Sequence, residues 1–346
     1  MSLFGRAHDV MFGVNRSAQR YTQDSAYDLD AIGISLPLFS GFDGSFPEPN
    51  FPAFSRSLDT HTRRDTVYGL VRLNPTDALK IMVGGNATRA FSEGVSYGAP
   101  TDFDRARFLP FVGATYDLTG NISAYASFAT IFNPQTQVDA NRRLLDPIEG
   151  DNLEAGLKGE WFAGRLNASV ALFQARQNNT AEAAGFDATI GQTLYRGVDA
   201  KSQGVEVELS GQIAPGVQAT GGFTAMRIRG TDDQPVRTFV PRNTARLNIV
   251  WSPTTLPALK LGASGQYQSR MYLEPGVIAT TGQPVRITQD GYATLDLMGR
   301  YELTPRVALS VNVRNVNDAK ALSAINFDQG YFNAPRTVLG TVQVRY

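Results

Sequence analysis

Apolar and polar residues alternate with period two along almost the whole chain, and convincing helical faces are absent. From Leu153 the set Leu153, Ala155, Leu157, Gly159 and Trp161 opposes Glu154, Gly156, Lys158 and Glu160. From Val307 the set Val307, Leu309, Val311 and Val313 opposes Ala308, Ser310, Asn312 and Arg314. Ala245, Leu247, Ile249 and Trp251 alternate with Arg246, Asn248 and Val250, and Val338, Gly340, Val342, Val344 and Tyr346 close the chain in the same rhythm. Successive strand side chains point to opposite faces, so each such segment has one greasy face and one that carries charge.

A soluble sandwich would alternate too, and the connections separate the two cases. Tight links lie at Asn74 to Asp77, Leu118 to Asn121, Phe162 to Gly164, Ile213 to Gly216, Ser252 to Pro257 and Leu303 to Pro305. Between them fall long connections at 22–64, 92–107, 133–150, 178–200, 230–242, 271–290 and 319–335. Short turns on one side and long loops on the other are the pattern of an outer-membrane barrel. The expected fold is all-β: an antiparallel transmembrane β-barrel of outer-membrane type with about 14 strands, one domain over 1–346. Tyr116, Trp161, Phe162, Trp251, Tyr301 and Tyr346 gather at the turn-side strand ends, where an interfacial aromatic girdle belongs. The first long link, with Phe39, Phe42, Phe46, Phe51 and Phe54 among glycines and prolines, reads as a large outer loop.

Composition removes competing functions. No run of eighteen apolar residues exists, so no transmembrane helix is encoded. The opening Met1 to Arg6 lacks the charged and apolar regions of a signal peptide. There is no cysteine, and His8 and His61 lack a second histidine at ligand spacing, so no metal site or cofactor is expected. The formal net charge of zero argues against a nucleic-acid partner. Glu206 and Glu208 have the spacing of a glycosidase pair, but lumen strands of barrels carry such pairs routinely. Asp102 with Asp104, and Asp232 with Asp233, supply too few oxygens for calcium. Neither a phosphate loop nor a nucleophile triad order is present, and the chain reads as no enzyme.

Particular words carry a resemblance. Leu3 to Gly13, Pro147 to Glu160, Tyr195 to Gly197 with Ser202 to Glu208, Val311 to Asp318, and Pro335-Arg336 before the last strand are similar to motifs of TonB-dependent siderophore receptors, notably the ferric-pyoverdine and ferric-coprogen branch. The resemblance runs over essentially the whole chain. It implies the C-terminal part of a barrel of about 22 strands with a plugged lumen, the plug and the first strands being absent from these residues. TonB would then act only through that absent plug. Further partners implied are a ferric-siderophore ligand, outer-membrane lipid and the barrel-assembly machinery, which an aromatic end such as Tyr346 suits.

Glu154, Glu160, Glu206 and Glu208 are expected to face the lumen, solvated or paired with arginines such as Arg246, Arg300 and Arg314. Gly156 and Gly204 are expected to permit close approach or bulging, and Asn315 and Asp318 to cap a strand where it leaves for a loop. At the extracellular mouth the resemblance implies ligand contacts from Tyr97 and Phe103, Tyr195 and Arg196, Arg270 and Tyr272, and Phe327, Tyr331 and Phe332. Aromatic faces suit chelating rings, and arginine suits a complex of net negative charge. The implied function is ferric-siderophore uptake, here by a fragment not competent for TonB-coupled transport. The alternative is a freestanding passive pore of about 14 strands.

Overall fold

A computed structural model describes residues 2–3, 5–25, 53–54, 56–187, 189, 192–277, 282–326 and 329–346. Every regular element among them is a strand. One antiparallel sheet of fifteen strands dominates. Fourteen follow one another in chain order: β1 (Asp9–Ser25), β2 (Arg56–Leu73), β3 (Leu79–Ser96), β4 (Phe103–Asp117), β5 (Ile122–Asn133), β6 (Ile148–Trp161), β7 (Leu166–Asp187), β8 (Gln192–Ala214), β9 (Val217–Arg229), β10 (Asn243–Trp251), β11 (Leu259–Gln268), β12 (Tyr292–Thr304), β13 (Val307–Arg314) and β14 (Thr337–Val344). The two-residue strand Ala99–Pro100 pairs only with the end of β3. Three further strand pairs stand apart from this sheet: Ser2–Leu3 with Arg6–Ala7, Met271–Val277 with Pro284–Gln289, and Leu322–Asn326 with Gln329–Phe332.

The register converts the sequence alternation into two faces. Val10, Phe12 and Val14 of β1 lie across from Val71, Gly69 and Val67 of β2, and those across from Val83, Gly85 and Ala87 of β3. The row then runs through Val112 and Phe128 on β4 and β5 to Leu153 on β6. Further along, Leu157, Val170, Val207, Phe223, Ala245, Tyr267 and Ala293 continue the same face on β6 to β12. Leu297, Val313 and Val338 carry it to β14. No charged residue interrupts this band, and its large members stay exposed: Leu157 at 43%, Val311 at 50% and Val344 at 54%. Soluble proteins do not leave a continuous apolar surface of this extent in water. Tyr116, Trp161, Trp251 and Tyr301 fall on the same face at its short-link edge.

The opposite face carries the charges. By cross-strand pairing Glu154, Glu160, Glu206, Glu208, Arg246, Arg300 and Arg314 all lie on it. Of the two expected states, solvated or paired with these arginines, the glutamates show no ion pair to Arg246, Arg300 or Arg314, and Arg300 lies 3.6 Å from Glu302. Glu208 and Arg246 both lie across from Gly222, two strands apart, which is about 10 Å at the usual strand spacing. Glu206 accepts instead from Thr224 Oγ1 at 3.2 Å, and Arg300 donates to Gln343 Oε1 at 3.0 Å.

Bare backbone on this face is roofed by aromatic rings from the next strand. Tyr125 lies across from Gly156, its hydroxyl donates to Glu154, and the Lys158 ammonium sits 4.3 Å above its ring. Phe173 covers Gly204 in the same way. A Cβ on Gly156 would meet Tyr125 Cε1 at 2.9 Å and the Ala171 backbone at 3.0 Å. Gly156→Val is therefore expected to destabilise the wall by about 1–3 kcal/mol through overpacking. Gly340→Val, where nothing lies within 4 Å, is the control expected to be neutral. Denaturant midpoints of the bilayer-inserted proteins decide between them.

The tight links match those read from the sequence, but three of the long ones do not end where alternation fades. β3 continues to Ser96, β4 begins at Phe103, and β7 with β8 form one hairpin reaching Asp187 and Gln192. Much of 92–107 and 178–200 is thus ladder, because backbone pairing persists after the wall has left the apolar layer and polar side chains serve both faces. The third, 22–64, is shortened at both ends by β1 and β2. Of the phenylalanines in that loop only Phe54 falls among the described residues. Asn315, with φ of 49°, caps the exit of β13: its N–H donates to Asp296 Oδ1 at 2.7 Å and its amide to the Ala319 and Ala334 carbonyls at 3.1 and 3.0 Å. Asp318 Oδ1 accepts the Arg336 N–H at 3.1 Å.

Among the described residues no ladder joins β1 to β14. Both are edge strands, and β14 is exposed along its whole length.

Candidate functional site

The long-link ends of β2 to β8 are woven together. Ser96, Tyr97, Gly98 and Ala99 make a two-residue turn in which Tyr97 (φ 49°) and Gly98 (φ 91°) are both left-handed, the geometry that lets a hairpin close without splaying its strands. The Tyr97 N–H donates to the Ser57 carbonyl at 3.0 Å. Gln192 Nε2 donates to the Ser96 carbonyl, and the Tyr195 N–H to the Val138 carbonyl at 2.8 Å. Gln135, buried, bridges the Asp146 and Asn179 carbonyls at 2.6 Å each.

This weave makes two clefts. One, of about 450 Å³, is lined by Tyr97, Phe186 and Tyr195 together with Gln137 and Gln192. The other, of about 420 Å³, holds Phe103 with Arg105, Arg142 and Arg143. Arg142, in the second cleft, donates from Nε to Asp187 Oδ2 at 2.8 Å, one residue from Phe186 of the first. Desolvation pushes the Asp187 carboxyl up, but the bonds from Arg142 and the Thr189 N–H outweigh it and hold the pKa below the usual carboxylate value. Asp139 is held low in the same sense by accepting the backbone N–H groups of Arg143 and Asn141, which fixes the loop that presents both arginines.

Three of the expected mouth residues, Tyr97, Phe103 and Tyr195, thus converge in adjoining clefts. Arg196 turns away to Glu182 at 2.6 Å and lines neither cleft. Arg270, Tyr272, Tyr331 and Phe332 form a second group on the two hairpins above β11 to β14. There the Arg286 guanidinium stacks 4.5 Å from the Tyr272 ring and pairs with Glu274, while Arg270 reaches Asp290 at 3.6 Å. The Leu322 N–H donates to Gln289 Oε1 at 2.7 Å and ties one hairpin to the other. Tyr331 is 57% and Phe332 77% exposed. Phe327 lies outside the described residues. Arg105, Arg142, Arg143 and Phe186 were not foreseen; the adjacent arginines inside a long link were the available signal. No group of metal-ligating side chains occurs among the described residues.

The family model described as TonB dependent receptor-like, beta-barrel, matches residues 2–316. This chain belongs to the TonB-dependent receptor β-barrel family. Among curated relatives, the ferripyoverdine receptor of Pseudomonas aeruginosa is 32% identical over 97% of the chain, which spans 42% of that receptor's length. The ferrioxamine B receptor of Salmonella typhimurium is 25% identical over 88% of the chain, which spans 45% of it. In the crystal structure of the P. aeruginosa receptor bound to ferripyoverdine, the chain superposes with a TM-score of 0.85 at 30% identity, covering 99% of this chain and 46% of the receptor. A structure of the same receptor type with pyocin S2 matches at 0.86. These residues therefore form an antiparallel wall of outer-membrane receptor type, and no plug is evident among those described.

Proposed function

We propose that residues 1–346 form one unit, the wall and outer mouth of an outer-membrane ferric-siderophore receptor. Siderophore binding would take place at the long-link end and the uncharged band would sit in the bilayer. The reading is carried by one observation: aromatic rings and guanidinium groups from separate strands converge in adjoining clefts on the side of the sheet opposite the tight turns. That is the donor set an anionic complex with flat chelating rings requires, stacking from the rings and charge-assisted bonds from arginine. Relatives named for ferripyoverdine and ferrioxamine B support the ligand class. The face bearing Glu154, Glu160, Glu206, Glu208, Arg246, Arg300 and Arg314 is assigned to the lumen, where charge stays hydrated. TonB would engage through a plug, and the assembly machinery through the terminal strand.

The test is direct binding of a ferric siderophore to a receptor that contains this wall whole. Tyr97→Ala with Tyr195→Ala, and separately Tyr272→Ala with Tyr331→Ala, are each expected to weaken binding by on the order of thirtyfold, at roughly 1 kcal/mol per lost aromatic contact. Unchanged affinity in both pairs rejects the mouth assignment.

A further inference from the structure

Just above the uncharged band, on the same outward face, the wall carries two different charge patterns. On β1 to β4 every guanidinium meets a carboxylate: Arg16 and Arg63 share Asp65 at 3.6 and 3.0 Å, Arg20 pairs with Asp59 at 2.7 Å and Arg89 with Asp104 at 2.5 Å. Glu93, across from His61 on the same face, adds a further carboxylate, so the charges of that collar offset one another. On β7 to β9 the pattern differs. Arg176 lies directly across from Lys201, and Lys201 across from Arg229. One step nearer the band Arg227 lies across from Gln203, whose amide is held by Gln174 at 2.9 Å. The next step down is Leu172, Val205 and Ala225.

Little answers this charge. Asp151 stands 3.9 Å from Arg176, Arg229 Nη1 donates to the Asp233 carbonyl at 2.9 Å, and Asp199 is occupied by the Asn179 N–H at 3.0 Å. Among the described residues neither Lys201 nor Arg227 makes an ion pair. Like charges set directly opposite each other on neighbouring strands repel, and nothing in the fold requires three cations abreast. An external anion at this height would turn the repulsion into a binding site, and what lies against the outer face just above an apolar band is the headgroup layer. Guanidinium forks beside an ammonium suit phosphate oxygens.

We propose that Arg176, Lys201, Arg227 and Arg229 form a site for the phosphate groups of an anionic glycolipid in the outer leaflet. The inference rests on the membrane reading of the band. It predicts that the chain, inserted in bilayers, retains a diphosphorylated glycolipid and loses retention as ionic strength rises. Lys201→Gln with Arg227→Gln, both lacking partners in the fold, should weaken retention on the order of thirtyfold, about fivefold per cation. Arg16→Gln with Arg20→Gln in the neutral collar should leave it unchanged. Equal retention of the dephosphorylated glycolipid, or equal loss in the collar variant, overturns the proposal. Displacement by millimolar inorganic phosphate alone would make a free anion the ligand and overturn the lipid assignment. Protease protection of the inserted wall is read alongside. A chain that fails to insert removes the membrane reading and this site together, whereas insertion without phosphate-dependent retention removes the site alone.

Discussion

Val207→Arg destabilises the bilayer-inserted wall by about 2–4 kcal/mol, whereas Glu206→Arg, one residue away, costs less than about 1 kcal/mol. The two positions differ only in face. Val207 is paired with Val170 and Phe223 in the middle of the uncharged band, and Glu206 with Ala171 and Thr224 on the charged side. An arginine among lipid tails must either shed its hydration or drag water into the bilayer, while one on the lumen side stays wet. Denaturant unfolding from lipid vesicles reads both. Equal shifts for the two variants would mean that the apolar band does not face lipid, and the membrane reading would fall with it.

The second large effect concerns energy coupling. When the 346-residue chain is exported with a heterologous signal sequence, cells are expected to gain at most TonB-independent permeability, with no concentrative uptake of radiolabelled ferric siderophore. The physical ground is the charged face proposed above to line the lumen: it is polar, and the described residues hold no separate folded element to occupy it and be moved. A static polar wall can leak but cannot do work. Accumulation that disappears on deleting TonB would falsify this.

The wall was largely legible in the sequence because a register error of one residue inverts a strand, so alternation and turn position together fix both faces. Leu157, Val311 and Val344 on one face and Glu206, Arg300 and Arg314 on the other follow from that rule alone. What period two could not supply was distance. The glutamates and arginines expected in the lumen do share one face of the sheet, but a face is many strands wide, and Gly222 separates Glu208 from Arg246. Loop ends were hidden for a different reason. In the hairpin of β7 and β8 both faces are wet above the bilayer, so the backbone ladder persists with no hydrophobic signature to announce it. The two clefts were half visible: Tyr97, Phe103 and Tyr195 could be named as aromatic residues in long links, but their convergence with Arg142 depends on contacts such as Tyr195 to Val138 that join segments far apart in sequence.

Each wall strand bonds to the strands next to it in the chain, and this nearest-neighbour order has a consequence for how such walls change in size. A hairpin closed by a tight turn brings its own register, its own apolar stripe and its own polar stripe. Adding or removing one alters the circumference but leaves every other pairing as it was, much as in a linear repeat array. Strand number is then a quantity that duplication or loss of a gene segment can vary in steps of two.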